Sequence, residues 1–143
     1  GVRPDLYAAT PPSGSLRLLL SKLETDKTLK LMYEDVSRAY FYAKAIRLVY
    51  VQLTDEDVEE GDEGKCGTLL KSMYGTRDAA MNWSAAYTNT FIADGYLQGT
   101  SNPCLFKHSV KDMCLTVHGD DFVAVGETPP RKIHHLLAFC VSG

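Results

Sequence analysis

The sequence predicts a single α+β domain. Helix-spaced and strand-like segments alternate irregularly, adjacent hairpins occupy the second half, and 143 residues suffice for one core but not for two. Apolar content of 45% and charged content of 23% are those of an ordinary globular chain. No apolar run approaches the roughly 20 residues of a membrane span.

Each element has its own warrant. Pro11-Pro12 precede Ser13, and Leu16, Leu19, Leu20 and Leu23 recur at spacings of three and four, which predicts a helix over about 13–25. Residues 28–36 alternate apolar and polar and read as a strand ending near Asp35, followed by a short turn or helix over 37–43. Arg47 to Leu53 is β-prone, an acidic loop runs to Gly64, and a short strand covers 66–70. A glycine-containing loop follows at Tyr74-Gly75-Thr76. Asp78 stands where an N-cap would stand, and Ala80, Trp83, Tyr87, Phe91 and Asp94 recur at spacings of three and four. They predict a helix of about 17 residues, ended by Gly95, whose aromatic stripe belongs to the core. A strand over 105–110, a turn at Lys111-Asp112, a hairpin over 113–126 and a last helix over 131–140 complete the chain.

Net charge is −3, but the charge is unevenly spread. Residues 55–63 hold seven of the 18 acidic side chains and no basic one, a solvated loop that repels itself open. That leaves 15 basic against 11 acidic residues, a balance of +4 that is compatible with a phosphate-bearing partner. Cys66, Cys104, Cys114 and Cys140 form no C-x-x-C pair, so reduced thiols are expected rather than a zinc site or a disulfide framework. The N-terminus carries neither an initiator Met nor a signal-peptide core, so the chain reads as a portion of something longer. His108, His134 and His135 have no acidic partner at ligand spacing and read as structural or solvated.

The chemistry concentrates at His118-Gly119-Asp120-Asp121, between the β-prone runs 113–117 and 122–126. Gly and Asp are common turn residues in their own right. Two adjacent carboxylates are also unfavourable unless a cation sits on them, and at a rigid turn facing a cleft that cation is a divalent metal. Asp35, at the end of another strand, would supply a third carboxylate. Three carboxylates suit Mg²⁺, and a pair of such ions can activate a hydroxyl and stabilise a leaving pyrophosphate.

Five segments occur in one order: Asp35-Val36-Ser37-Arg38-Ala39-Tyr40; Leu70 to Ala80 with Trp83; Gly95-Tyr96; Pro103 to Phe106; and Val117 to Asp121. In this order the chain resembles the reverse transcriptase (RNA-directed DNA polymerase) of Ty1/copia-type LTR retrotransposons. That family reads Asp-Val-x-x-Ala-Phe, Leu-Tyr-Gly-Leu-Lys-Gln-x-Pro-x-x-Trp and Tyr-Val-Asp-Asp. The resemblance covers about residues 11–126.

It implies a right-hand polymerase palm, an antiparallel sheet backed by helices, catalysing nucleotidyl transfer with two Mg²⁺ (or Mn²⁺ in their place). Asp35, Asp120 and Asp121 match the catalytic, metal-holding carboxylates, and Val36 the residue whose backbone carbonyl helps hold metal. Tyr40 matches the aromatic steric gate against a ribose 2′-OH. Tyr74 and Gly75 match the loop lining the incoming nucleotide, with Arg77 at a usually basic position. Implied partners are an RNA or DNA template-primer, dNTPs, and the integrase and RNase H segments of a Pol polyprotein. The implied setting is intracellular, in a cytoplasmic virus-like particle or the nucleus, with no membrane. His118 and Gly119, expected near the primer end, replace the family's Tyr and Val or Met, and Asp78 and Ala80 replace its Gln and Pro. In the family, basic fingers residues lie upstream of the matched segment and thumb and RNase H segments downstream, so residues 1–143 are expected to be the palm segment alone. The alternative is an inactive remnant or a domesticated palm-fold binding module.

Overall fold

The computed structural model describes residues 8–128. Helix α1 (Ser13–Thr25) leads into strand β1 (Lys30–Asp35) and a 3₁₀ turn at Ala39–Tyr42. Strands β2 (Tyr50–Gln52) and β3 (Cys66–Thr68) precede helix α2 (Ala79–Ala93). Strands β4 (Tyr96–Gln98), β5 (Leu105–His108), β6 (Met113–His118) and β7 (Asp121–Gly126) follow. Four of them join β1 in an antiparallel sheet of order β1-β7-β6-β5-β4, while β2 and β3 form a separate two-stranded ribbon. The α+β expectation holds. The last helix expected over 131–140, with His134, His135 and Cys140, lies outside the described residues.

Side chains alternate across the sheet, and each face meets one helix. On one face Phe106, Leu115, Val117, Phe122 and Ala124 pack against Trp83, Tyr87 and Phe91 of α2. The aromatic rings meet edge to face, Tyr87 on Phe122 at 5.7 Å and Phe91 on Phe106 at 5.2 Å. That is the offset geometry aromatic quadrupoles prefer. The expected aromatic stripe is therefore core. On the other face Val125, with Leu29, meets Leu19 of α1, and Val123, Cys114 and Leu105 pack around them.

Strand β4 is an addition to the expected elements. Three residues are too few to show alternation, and the strand exists because Tyr96 and Gln98 pair with His108 and Phe106 of β5. His108 is structural, as expected: its Nδ1 accepts the backbone N–H groups of Val110 and Lys111, both at 3.1 Å. Asp78 does stand at the N-cap position of α2, but its carboxylate makes no capping bond to the helix. The N-cap position is as expected; the carboxylate itself is taken by Arg47 and the Asn82 side chain.

Candidate active site

Strands β6 and β7 are joined by two residues, Gly119 and Asp120, because His118 and Asp121 pair directly. Gly119 has φ of +65°, and among the described non-glycine residues only Arg38 has a positive φ. A two-residue loop with positive φ at its first position alone follows the type II′ pattern, which takes glycine there. A side chain at 119 would meet no atom within 4 Å, so backbone conformation rather than crowding demands the glycine. Both loop carbonyls are tied. The buried indole N–H of Trp83 donates to the Gly119 carbonyl at 2.8 Å, and the Val36 N–H donates to the Asp120 carbonyl at 2.9 Å.

The β1–β7 register brings the first and third carboxylates together, since its last pair is Asp35 with Asp121. Directly opposed side chains share a face, with Cβ atoms roughly 5 Å apart. Tyr33 lies two residues before Asp35 on that face, and its phenol donates to Asp121 Oδ1 at 2.6 Å. The Tyr33 phenol is held above the ordinary tyrosine range, first by that bond, then by desolvation and the charges of Asp121, Asp35 and Asp120. One phenol therefore senses all three carboxylates. Their oxygens suit a hard divalent cation. Among the described residues, however, no three Asp, Glu, His or Cys side chains are grouped closely enough to hold a metal ion. Asp35 and Asp121 stand side by side on the sheet, whereas Asp120 occupies the turn on the side of Tyr74, whose phenol its charge helps to raise.

Two further segments border this end of the sheet. After Arg38, in left-handed backbone at φ 57°, the 3₁₀ turn presents Tyr40, whose ring stacks on Tyr74 at 4.3 Å. Desolvation is the largest influence raising the Tyr74 phenol, followed by Asp120, while the Tyr40 and Ala39 backbone pull it back. Gly75, at φ +85°, fills the third position of a turn closed by Thr76 N–H to the Met73 carbonyl at 3.0 Å. Positive φ there is the type II requirement that glycine meets without strain. Val36 is buried, His118 is exposed, and Arg77 is exposed on the loop after Gly75. Asp121 and His118 also line a groove of about 500 Å³ with Tyr33, Val123 and two α1 leucines, Leu16 and Leu20.

The structure thus brings Asp35, Asp120, Asp121, Tyr40 and Tyr74 to one end of the sheet. It adds Tyr33 and Trp83 in roles the sequence reading did not assign. Strand alternation was the available signal for Tyr33, two residues from Asp35. A family model for reverse transcriptase (RNA-dependent DNA polymerase) matches residues 8–134. The chain belongs to the reverse transcriptase family. It is 22% identical over 126 residues, 86% of its length, to the "Retrovirus-related Pol polyprotein from transposon TNT 1-94" of Nicotiana tabacum. The match amounts to 9% of that polyprotein, so this reverse transcriptase chain spans a small part of its relative. No solved structure matches the chain. No helix among the described residues is long and apolar enough to cross a membrane.

Proposed function

We propose that this reverse transcriptase segment is the palm of a copia-type RNA-directed DNA polymerase, working within a longer retrotransposon polyprotein on a template-primer and dNTPs. The observation that carries the reading is the register that sets Asp35 opposite Asp121 across β1 and β7, with Asp120 beside them in the tied turn. The chemistry of the donor set fits Mg²⁺, with Mn²⁺ as a substitute: the three carboxylates and the Val36 backbone carbonyl would hold two ions. When bound, such ions lower the pKa of a hydroxyl nucleophile and neutralise charge on the transferring phosphate.

The chain's own groups supply the rest. The tied turn holds Asp120 in place, and the strand register holds Asp35 beside Asp121, so little reorganisation remains at the moment of reaction. Tyr40, backed by Tyr74, presents a ring where a ribose 2′-OH would crowd it; Gly75 and Arg77 border the same nucleotide. His118 and Gly119 lie nearest the primer end. The proposed setting is a cytoplasmic virus-like particle or the nucleus, beside the integrase and RNase H segments of the same polyprotein.

Primer extension by the full-length parent, with Mg²⁺ or Mn²⁺, tests the reading against Asp120→Asn. Loss of a metal-holding carboxylate is expected to lower the rate at least about a hundredfold, the scale of removing one transition-state electrostatic group. Equal activity in the two proteins would remove Asp120 from the mechanism. The second reading is a non-catalytic palm-fold binding module, favoured by the absence, among the described residues, of three such side chains grouped closely enough to hold a metal ion. It predicts template-primer binding without extension in both proteins.

A further inference from the structure

We propose that Arg47 and Asp78 are positioning residues that set the stacked Tyr40–Tyr74 pair and, through it, the choice between deoxyribo- and ribonucleotides. The nucleotide half of this inference rests on the polymerase reading above; the positioning half does not. The Asp78 side chain is only 7% exposed, while that of Arg47 is 56% exposed and reaches it at 3.3 Å. A carboxylate this buried is retained only with charged or hydrogen-bonding partners. Asn82, one turn into α2, supplies the second partner: its Nδ2 donates to Asp78 Oδ2 at 3.3 Å and to Ser72 Oγ at 3.0 Å.

Ser72 carries the connection onward. Its N–H donates to the Ala43 carbonyl at 2.8 Å and its hydroxyl to the Lys44 carbonyl at 3.2 Å. Ser72 lies two residues before Tyr74, and Ala43 three residues after Tyr40. The segment bearing Tyr40, the loop bearing Tyr74 and the start of α2 are therefore closed into one ring of polar contacts, with Arg47–Asp78 as an ion pair within it. Both tyrosines lie on backbone that this ring holds in register. The family pattern has Gln where Asp78 stands, and a Gln needs no cation. Asp78→Asn keeps the shape and removes the charge; Arg47→Gln removes the cation and keeps a polar side chain able to donate to Asp78, so the two variants perturb the pair from opposite sides.

The test uses the 143-residue chain labelled with fluorotyrosine, with resonances assigned by single Tyr→Phe substitution. In Asp78→Asn and in Arg47→Gln, fluorine NMR is expected to show the Tyr40 and Tyr74 signals moving together while core Tyr87 stays in place. The double variant is expected to move them no further, the non-additivity of a single shared contact. Unmoved Tyr40 and Tyr74 signals in Arg47→Gln, or shifts that simply add in the double variant, would overturn the positioning role. Primer extension by the full-length parent, supplied with dTTP or UTP, reads the second half. The preference for dTTP is expected to fall roughly threefold to tenfold in each variant, the scale of one lost hydrogen bond between neighbours. A moved ring pair with unchanged preference overturns the specificity role. A full-length wild-type parent that incorporates neither nucleotide, with the ring signals still coupled in the 143-residue chain, sinks the polymerase reading and leaves the positioning role standing.

Discussion

Trp83→Phe isolates the tie between α2 and the hairpin turn. The indole is 1% exposed and packs edge-on against Tyr87 at 5.5 Å and Phe122 at 6.1 Å, while its N–H donates to the Gly119 carbonyl. Gly119 is exposed, so water can take over the freed carbonyl. The lost bond then costs its net value, about 1 kcal/mol, rather than the full penalty of a buried orphan. The smaller ring adds roughly 1–2 kcal/mol of lost contact, well below the 3–5 kcal/mol of truncating a buried aromatic to alanine. The sum is about 2–3 kcal/mol, read as a lowered urea midpoint with unchanged slope in circular dichroism. Hydrogen exchange separates the two parts: the Val36 amide, which donates to the Asp120 carbonyl of the turn, is expected to lose protection beyond the global loss, whereas Leu115 and Ala124 track it. Stability within about 0.5 kcal/mol of wild type, or a Val36 amide that changes only in step with the core, would refute the tie.

Three further outcomes are expected. Gly119→Val places a β-branched residue at φ +65° and should cost about 1–2 kcal/mol by chemical denaturation, with no steric part because the space beside it is open. Burial pushes the Asp78 carboxyl up, but its own backbone N–H, Arg47 and Asn82 outweigh this and hold it below the ordinary carboxylate range. Its folded pKa is thus depressed, so the stability it confers is present above the unfolded value near 4 and lost as pH falls through the folded one. Asp78→Asn should flatten the acid limb of stability against pH, and an unchanged acid limb would contradict this. Tyr96 is buried with a hydroxyl that finds no hydrogen-bond partner among the described residues, and burial pushes its pKa up to about 12. A raised folded pKa means stability lost as pH rises from about 10 toward that value, and Tyr96→Phe should abolish this alkaline loss while leaving neutral stability equal or higher.

Local patterns made much of the fold legible. The leucine spacing of α1 and the β-prone runs on either side of Gly119-Asp120 place those elements close to where the structure has them. Signals that depend on distant partners were less legible. Strand β4 has no pattern of its own and exists through β5. Asp78 was the right residue for a helix start, but burial beside Arg47 and Asn82 offers its carboxylate stronger partners than the first-turn amides. The leucine spacing marked the helix but not which leucines are covered: Leu16 and Leu20 stay 44% exposed, bordering the groove beside Asp121. Tyr33 was visible only as a strand residue, since its bond to Asp121 spans 88 positions and depends on the β1–β7 register.

Gly119 replaces a larger residue of the family pattern, and the structure changes what that replacement means. Glycine brings backbone entropy that folding must overcome, about 0.5–1 kcal/mol relative to alanine. A side chain held at this positive φ would cost roughly 1–2 kcal/mol instead. At a type II′ corner the second figure is the larger, so glycine is the less strained choice for the turn that carries Asp120. The freedom it admits is curtailed from outside the loop, by Trp83 on the Gly119 carbonyl and Val36 on the Asp120 carbonyl. Val36 follows Asp35 directly, so the bond that holds the turn also fixes the spacing between the strand-end carboxylate and the corner. A disturbance at 119 therefore acts on two of the three carboxylates at once.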